Sequence, residues 1–105
     1  MAYIELAKLH EIDDGFMRPV RVAGQELLLL QEHGQLYLIA NRCPHRQAPL
    51  TRATFTGEGL RCPAHGIEFS LRTGRALNST DCAASLTFYP LVYEGASVGV
   101  EITNQ

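Results

Sequence analysis

Two short segments dominate what this chain can become. Cys43-Pro44-His45 is followed, after sixteen residues, by Cys62-Pro63-Ala64-His65. Two soft thiolates and two imidazoles, one of each from each segment, make a four-ligand site suited to an iron-sulfur cluster or to zinc. A group held by both segments links two distant loops and adds to the stability of the fold.

The order of the ligands favours iron-sulfur. A zinc finger commonly takes two cysteines from its first loop and two histidines from its second, whereas here each loop is mixed. With its neighbours, the pattern runs Cys43-Pro44-His45-Arg46-Gln47-Ala48-Pro49-Leu50, then Cys62-Pro63-Ala64-His65-Gly66-Ile67-Glu68-Phe69, then Thr73-Gly74. This resembles the Rieske family, whose pattern is C-x-H, a connection of about this length, and C-x-x-H. The resemblance spans nearly the whole chain. It implies a 2Fe-2S cluster with Cys43 and Cys62 on the inner iron and His45 and His65 on the outer. Structural zinc, or four unrelated buried residues, are the other readings of the same four side chains.

Two thiolates cancel the charge of an oxidised core of two ferric ions and two sulfides, and neutral imidazoles add none. Such a site is neutral when oxidised and singly negative when reduced, so its potential lies above that of a four-cysteine cluster. The high-potential respiratory members carry a serine and a tyrosine where this chain has Ile67 and Phe69, and a disulfide where it has Ala48 and Ala64. Neither Ile67 nor Phe69 donates a hydrogen bond to the sulfurs. The resemblance therefore implies a low potential, toward the bottom of the roughly −150 to +300 mV span of Rieske centres. Two positions depart from the family. Gln47 stands where glycine is frequent, and residues 78–83, which would cover the cluster, lack the usual proline.

At 105 residues the chain is a single domain with a modest core. Of its three cysteines, Cys82 is left over and reads as a small reduced packing residue. Thiols without a disulfide framework suit a reducing compartment. The start of the chain has no basic region followed by an apolar run. Its most apolar stretch near there, residues 27–30, is far below the ~20 residues that span a bilayer. The expectation is a soluble, cytoplasmic protein with no membrane contact.

Residues 3–6 alternate as a strand, and residues 8–15 read as a turn or one helical turn. Residues 16–22 are extended, with Pro19 pointing to an edge position. Ala23-Gly24 and Glu32-His33-Gly34-Gln35 mark tight turns into residues 26–31 and 36–40, and with residues 16–22 these segments make a meander. From Asn41 to position 80 the chain is loop-rich, with short extended pieces at 60–62 and 67–71. Residues 86–93 read as one strand. After a turn at Glu94-Gly95-Ala96, Val98, Val100 and Ile102 give the clearest period-two pattern. Strands before and after the insert must pair to hide these faces. The expected architecture is an all-β Rieske iron-sulfur fold. An antiparallel base, sandwich or barrel, of residues 1–40 and 81–105 carries an inserted loop-rich cluster-binding lobe of residues 41–80.

Charge divides along the same line. Residues 41–75 hold six arginines against Glu58 and Glu68, a formal +4, and the rest of the chain holds −6, making the −2 of the whole. A positive cluster lobe on an acidic base is a dipole suited to docking on an acidic redox partner, or merely a soluble loop region. Nucleic-acid binding does not fit an acidic chain without aromatics among its basic residues. His10 and His33 read as solvated, and Phe55, Phe69 and Phe88 as packing residues.

The resemblance implies a monomeric one-electron carrier and not an enzyme in itself. It would pass electrons from a flavoprotein reductase to a terminal oxygenase, docking through the basic lobe. The alternatives are the small subunit of an assimilatory nitrite reductase, bound to its large subunit, and a structural zinc or iron-sulfur sensing module.

Overall fold

The computed structural model describes residues 2–44, 47–63, 66–78 and 84–102. It is built of ten strands: β1 (Ala2–Lys8), β2 (Met17–Val22), β3 (Gln25–Glu32), β4 (Gln35–Ala40), β5 (Thr54–Phe55), β6 (Gly59–Arg61), β7 (Glu68–Ser70), β8 (Phe88–Tyr89), β9 (Val92–Glu94) and β10 (Ser97–Ile102). A single 3-10 turn at Leu9–Glu11 is the only helical piece among the described residues. None of the helices there is long and apolar enough to cross a membrane.

The strands form three antiparallel sheets, in the orders β1-β10-β9, β2-β3-β4-β8 and β5-β6-β7. The two hairpins of the meander close on two-residue turns, Ala23-Gly24 and His33-Gly34. All four residues have positive φ, between 51° and 81°. That conformation matches the right-handed twist of the flanking strands. Pro19 lies on β2, which is an edge strand of its sheet, so its missing N–H leaves no ladder bond broken. The Asp14 carboxylate accepts from the Gly34 N–H at 2.8 Å and from Gln31 Nε2 at 3.1 Å. These bonds hold its pKa below the ordinary aspartate value, the backbone bond having the larger effect.

Strands from the two ends of the chain do pair. β1 runs against β10 from Ala2↔Ile102 to Lys8↔Ser97, with one bulge at Leu6. The bulge brings Ala7 as well as Ile4 and Leu6 into the apolar core. The Leu6 carbonyl accepts from Arg18 Nη1 at 3.2 Å, which ties the bulge to β2.

The expected single strand over residues 86–93 is in fact two. β8 pairs with β4, and β9 pairs with β10 in a different sheet. Pro90 lies between them. Its nitrogen cannot donate to a ladder, and there the chain crosses from one sheet to the other. β5 is a two-residue strand with no alternating pattern to announce it.

The core has two compartments separated by the central sheet. Leu27 and Leu29 of β3 face Val98, Val100, Ala7, Ile12, Val22 and Leu38. Leu28 and Leu30 face the other way, onto Cys43, Leu50, Leu60, Cys62, Ile67, Phe69, Leu71 and Leu86. All four leucines are almost wholly buried. The run of four consecutive leucines is thus a strand with both faces covered, by a second sheet on one side and by the loop-rich insert on the other. Leu28→Ala and Leu29→Ala should each cost about 2–5 kcal/mol in chemical denaturation although they empty opposite compartments. A loss under 1 kcal/mol at either position would show that face to be open.

Candidate metal centre

Two loops that leave the central core present the cysteines. The first follows β4, and the second connects β6 to β7. Both cysteine side chains are completely buried and belong to one apolar cluster with Leu28, Leu30 and Phe69. The backbone around each is built to one plan. The Cys43 carbonyl accepts from the Gln47 N–H at 2.6 Å, and its N–H donates to the Ala48 carbonyl at 2.6 Å. The Cys62 carbonyl accepts from the Gly66 N–H and its N–H donates to the Ile67 carbonyl, both at 2.9 Å. Each loop therefore closes at matching positions, four and five residues after its cysteine.

The closing residue is left-handed in both loops: Gln47 has φ 64° and Gly66 has φ 71°. Glycine takes this conformation freely, whereas an L side chain pays steric strain. Gln47, the departure noted in the sequence, thus stands where the turn itself asks for glycine.

An asparagine outside each loop holds it in place. Asn41 Oδ1 accepts from the Leu50 N–H, and its Nδ2 donates to Thr51 Oγ1, both at 2.9 Å. Asn78 Oδ1 accepts from the Glu68 N–H at 2.8 Å, and its Nδ2 donates to the Gly66 carbonyl at 2.9 Å. Sequence reasoning passed over both, because an isolated asparagine in a loop carries no distinguishing pattern.

The residues present fit an iron-sulfur group. Two sulfur donors lie buried among apolar side chains, where thiolates are costly unless a cation neutralises them. Ile67 and Phe69 share that compartment and offer no side-chain donor. His45 and His65, with Arg46 and Ala64, lie outside the described residues, as do Cys82 and the rest of residues 79–83. Among the described residues no three metal-binding side chains are grouped. Of the four expected ligands, Cys43 and Cys62 lie among the described residues.

Around the loops, charge is arranged unevenly. In the base, Lys8 pairs with Glu5 at 3.0 Å, Arg18 with Glu11 at 3.5 Å and Arg21 with Glu26 at 2.6 Å. Among the described residues of the insert, only Arg61 meets a carboxylate, Glu68 at 4.0 Å. Arg42, Arg52, Arg72 and Arg75 are exposed and form no ion pair among the described residues. The outer surfaces of both loops meet in an apolar depression of about 400 Å³ lined by Ala48, Pro49, Thr51, Arg52 and Pro63. His33 is exposed, and its Nε2 lies 3.1 Å from the Gly57 carbonyl. His10 is exposed on the 3-10 turn. Phe69 is buried and Phe55 packs on the same core, while Phe88 is partly exposed with its ring centroid 6.1 Å from that of Tyr37.

Comparison with known proteins agrees with this construction. The Rieske [2Fe-2S] domain family matches residues 2–90. The ferredoxin component of the naphthalene 1,2-dioxygenase system of Pseudomonas aeruginosa is 32% identical over 101 residues, which is 96% of each chain. The ferredoxin of carbazole 1,9a-dioxygenase from Nocardioides aromaticivorans IC177 superposes with a TM-score of 0.79 at 26% identity, covering 94% of this chain and 96% of that one. A chain in the complex of reduced oxygenase and oxidized ferredoxin of carbazole 1,9a-dioxygenase superposes with a TM-score of 0.77 at 26% identity, covering 90% of this chain and 97% of that one.

Because the strain sits at Gln47, Gln47→Gly should stabilise the protein by about 0.5–1 kcal/mol after the added freedom of the unfolded chain is subtracted. Gly66→Ala, the converse change, should destabilise it by about 1 kcal/mol. Chemical denaturation reads both, and a loss of stability in Gln47→Gly would contradict the assigned conformation.

Proposed function

We propose a shuttle's role for this chain, which belongs to the Rieske [2Fe-2S] domain family and so carries a Rieske-type 2Fe-2S cluster. It takes single electrons from a flavoprotein reductase and delivers them to the terminal oxygenase of a ring-hydroxylating system. Cys43 and Cys62 hold one iron, and His45 and His65 hold the other. The observation that carries this reading is the pair of buried cysteines on loops of identical backbone plan. Full-length likeness to ferredoxin components of dioxygenase systems supports the role of carrier rather than catalyst.

When bound, the cluster supplies a one-electron couple whose oxidised form is neutral and whose reduced form carries one negative charge. The chain's own residues set the conditions. Apolar Ile67 and Phe69 donate no side-chain hydrogen bond to the added charge and so hold the potential low. The apolar depression around Pro49 and Pro63 is a face from which a docking partner would displace weakly held water, and Arg52 lies on its lining. The unpaired Arg42 and Arg52 give that end a positive field, whereas the cations of the base are neutralised by their own carboxylates. A monomer docking this end on an acidic face of the oxygenase fits that division. Residues 41–80 form the cluster lobe on a base of 1–40 and 81–105, and the protein works in the reducing cytoplasm.

Purified protein should contain iron and inorganic sulfide and show visible absorption and, once reduced, an electron paramagnetic resonance signal. Alanine at His45 or His65 should abolish that signal. The midpoint should fall toward the lower end of the roughly −150 to +300 mV Rieske span. A colourless zinc protein would overturn the ligand assignment, and a midpoint well above zero would overturn the account of Ile67 and Phe69.

The second-order rate of electron transfer to the oxygenase should drop as ionic strength rises, with Arg52→Glu slowing it about tenfold and Lys8→Glu much less. A rate indifferent to salt, or equal effects of the two substitutions, would remove the lobe as the docking end.

A further inference from the structure

We propose that Asn78 is a positioning residue for the ligand His65, acting through the carbonyl of Gly66; this rests on the cluster assignment above. Gly66 follows His65 directly, is left-handed and has no side chain to restrict it. Only its two peptide groups can hold it. The one before it is fixed from within the loop, where the Gly66 N–H donates to the Cys62 carbonyl at 2.9 Å. The one after it is fixed from outside, where Asn78 Nδ2 donates to the Gly66 carbonyl at 2.9 Å. With both bonds in place Gly66, the residue next to His65, is held through its N–H and its carbonyl.

The other arm of the same amide, accepting from the Glu68 N–H at 2.8 Å, fixes which way the amide faces. Turned over, it would set its NH2 against an N–H and its oxygen against a carbonyl. Glu68 does not need this bond to stay in place. It sits in the β6–β7 ladder opposite Arg61, its carbonyl accepts from the Leu77 N–H at 2.7 Å, and its carboxylate accepts from Thr56 Oγ1 at 2.6 Å. Glu68 is therefore the fixed point, and the Gly66 carbonyl is the group being held. The first loop is braced differently, since Asn41 bonds its far end at Leu50 and Thr51. The second loop is the one whose brace falls next to a ligand.

The two arms can be separated in the cluster-loaded protein. Asn78→Asp is nearly isosteric and keeps the acceptor for the Glu68 N–H, but it replaces the donor to Gly66 by an oxygen that faces a carbonyl. Asn78→Ala removes both arms. Both variants should lose the cluster about fivefold to tenfold faster than the parent protein when challenged with a chelator, followed by the decay of visible absorption. Asn78→Asp should be no better than Asn78→Ala. In both, the paramagnetic resonance signal of the reduced cluster should broaden or shift, a change that general loosening of β7 would not produce. Parental loss rates and spectra in Asn78→Asp would overturn the proposal, because the Glu68 arm would then suffice. Should the parent protein itself lack the cluster's absorption, the ligand assignment would fail first, before any variant is compared.

Discussion

Burial of one strand on both faces is the constraint on which the rest of this structure depends. Leu27, Leu28, Leu29 and Leu30 are nearly inaccessible to solvent, and in a strand successive side chains point to opposite sides. Two layers must therefore cover β3. One is the sheet of β1, β10 and β9, and the other is the insert that carries the cysteine loops. Burying a leucine fully contributes about 1.5–3 kcal/mol, so the two leucines facing the insert are a substantial part of what seats it. The insert is held to the base by the same apolar compartment that encloses Cys43 and Cys62. Stability and the candidate metal centre share one set of contacts.

Within that compartment the two loops solve one geometric problem twice. Each cysteine accepts and donates a backbone hydrogen bond to its own loop, and each loop closes on a left-handed residue. The second loop closes on Gly66, where the conformation costs little. The first closes on Gln47 and carries strain that its hydrogen bonds and the core beneath must offset. Around this frame the chain distributes charge so that the base neutralises its own cations and, among the described residues, the insert leaves most of its arginines unpaired. A carrier that must bind its partner briefly gains from a field of this kind, since rim charges act on encounter more than on lifetime.

Much of the base was legible because its signals are local. The period-two pattern of Val98, Val100 and Ile102, the turns at Gly24 and Gly34, and the edge position implied by Pro19 each follow from a few adjacent residues. Residues 86–93 mislead for the opposite reason. Their apolar content is continuous, but Pro90 breaks the ladder and the halves join different sheets. β5 is too short to show any period. The bulge at Leu6, which turns Ala7 inward, depends on the register against β10 and leaves no mark in a single strand's composition.

The family and its cluster type were legible in the order of side chains, because mixed Cys and His segments at that spacing resemble the Rieske pattern before any fold is known. The family's cluster and its all-β frame followed from the same residues. Tertiary structure alone decided that the leucine run would be the shared wall of two compartments, that Gln47 would be left-handed, and that Asn41 and Asn78 would brace the loops. Those outcomes hang on contacts between residues distant along the chain, and an amide or a leucine looks the same in a sequence whichever partner the fold brings to it.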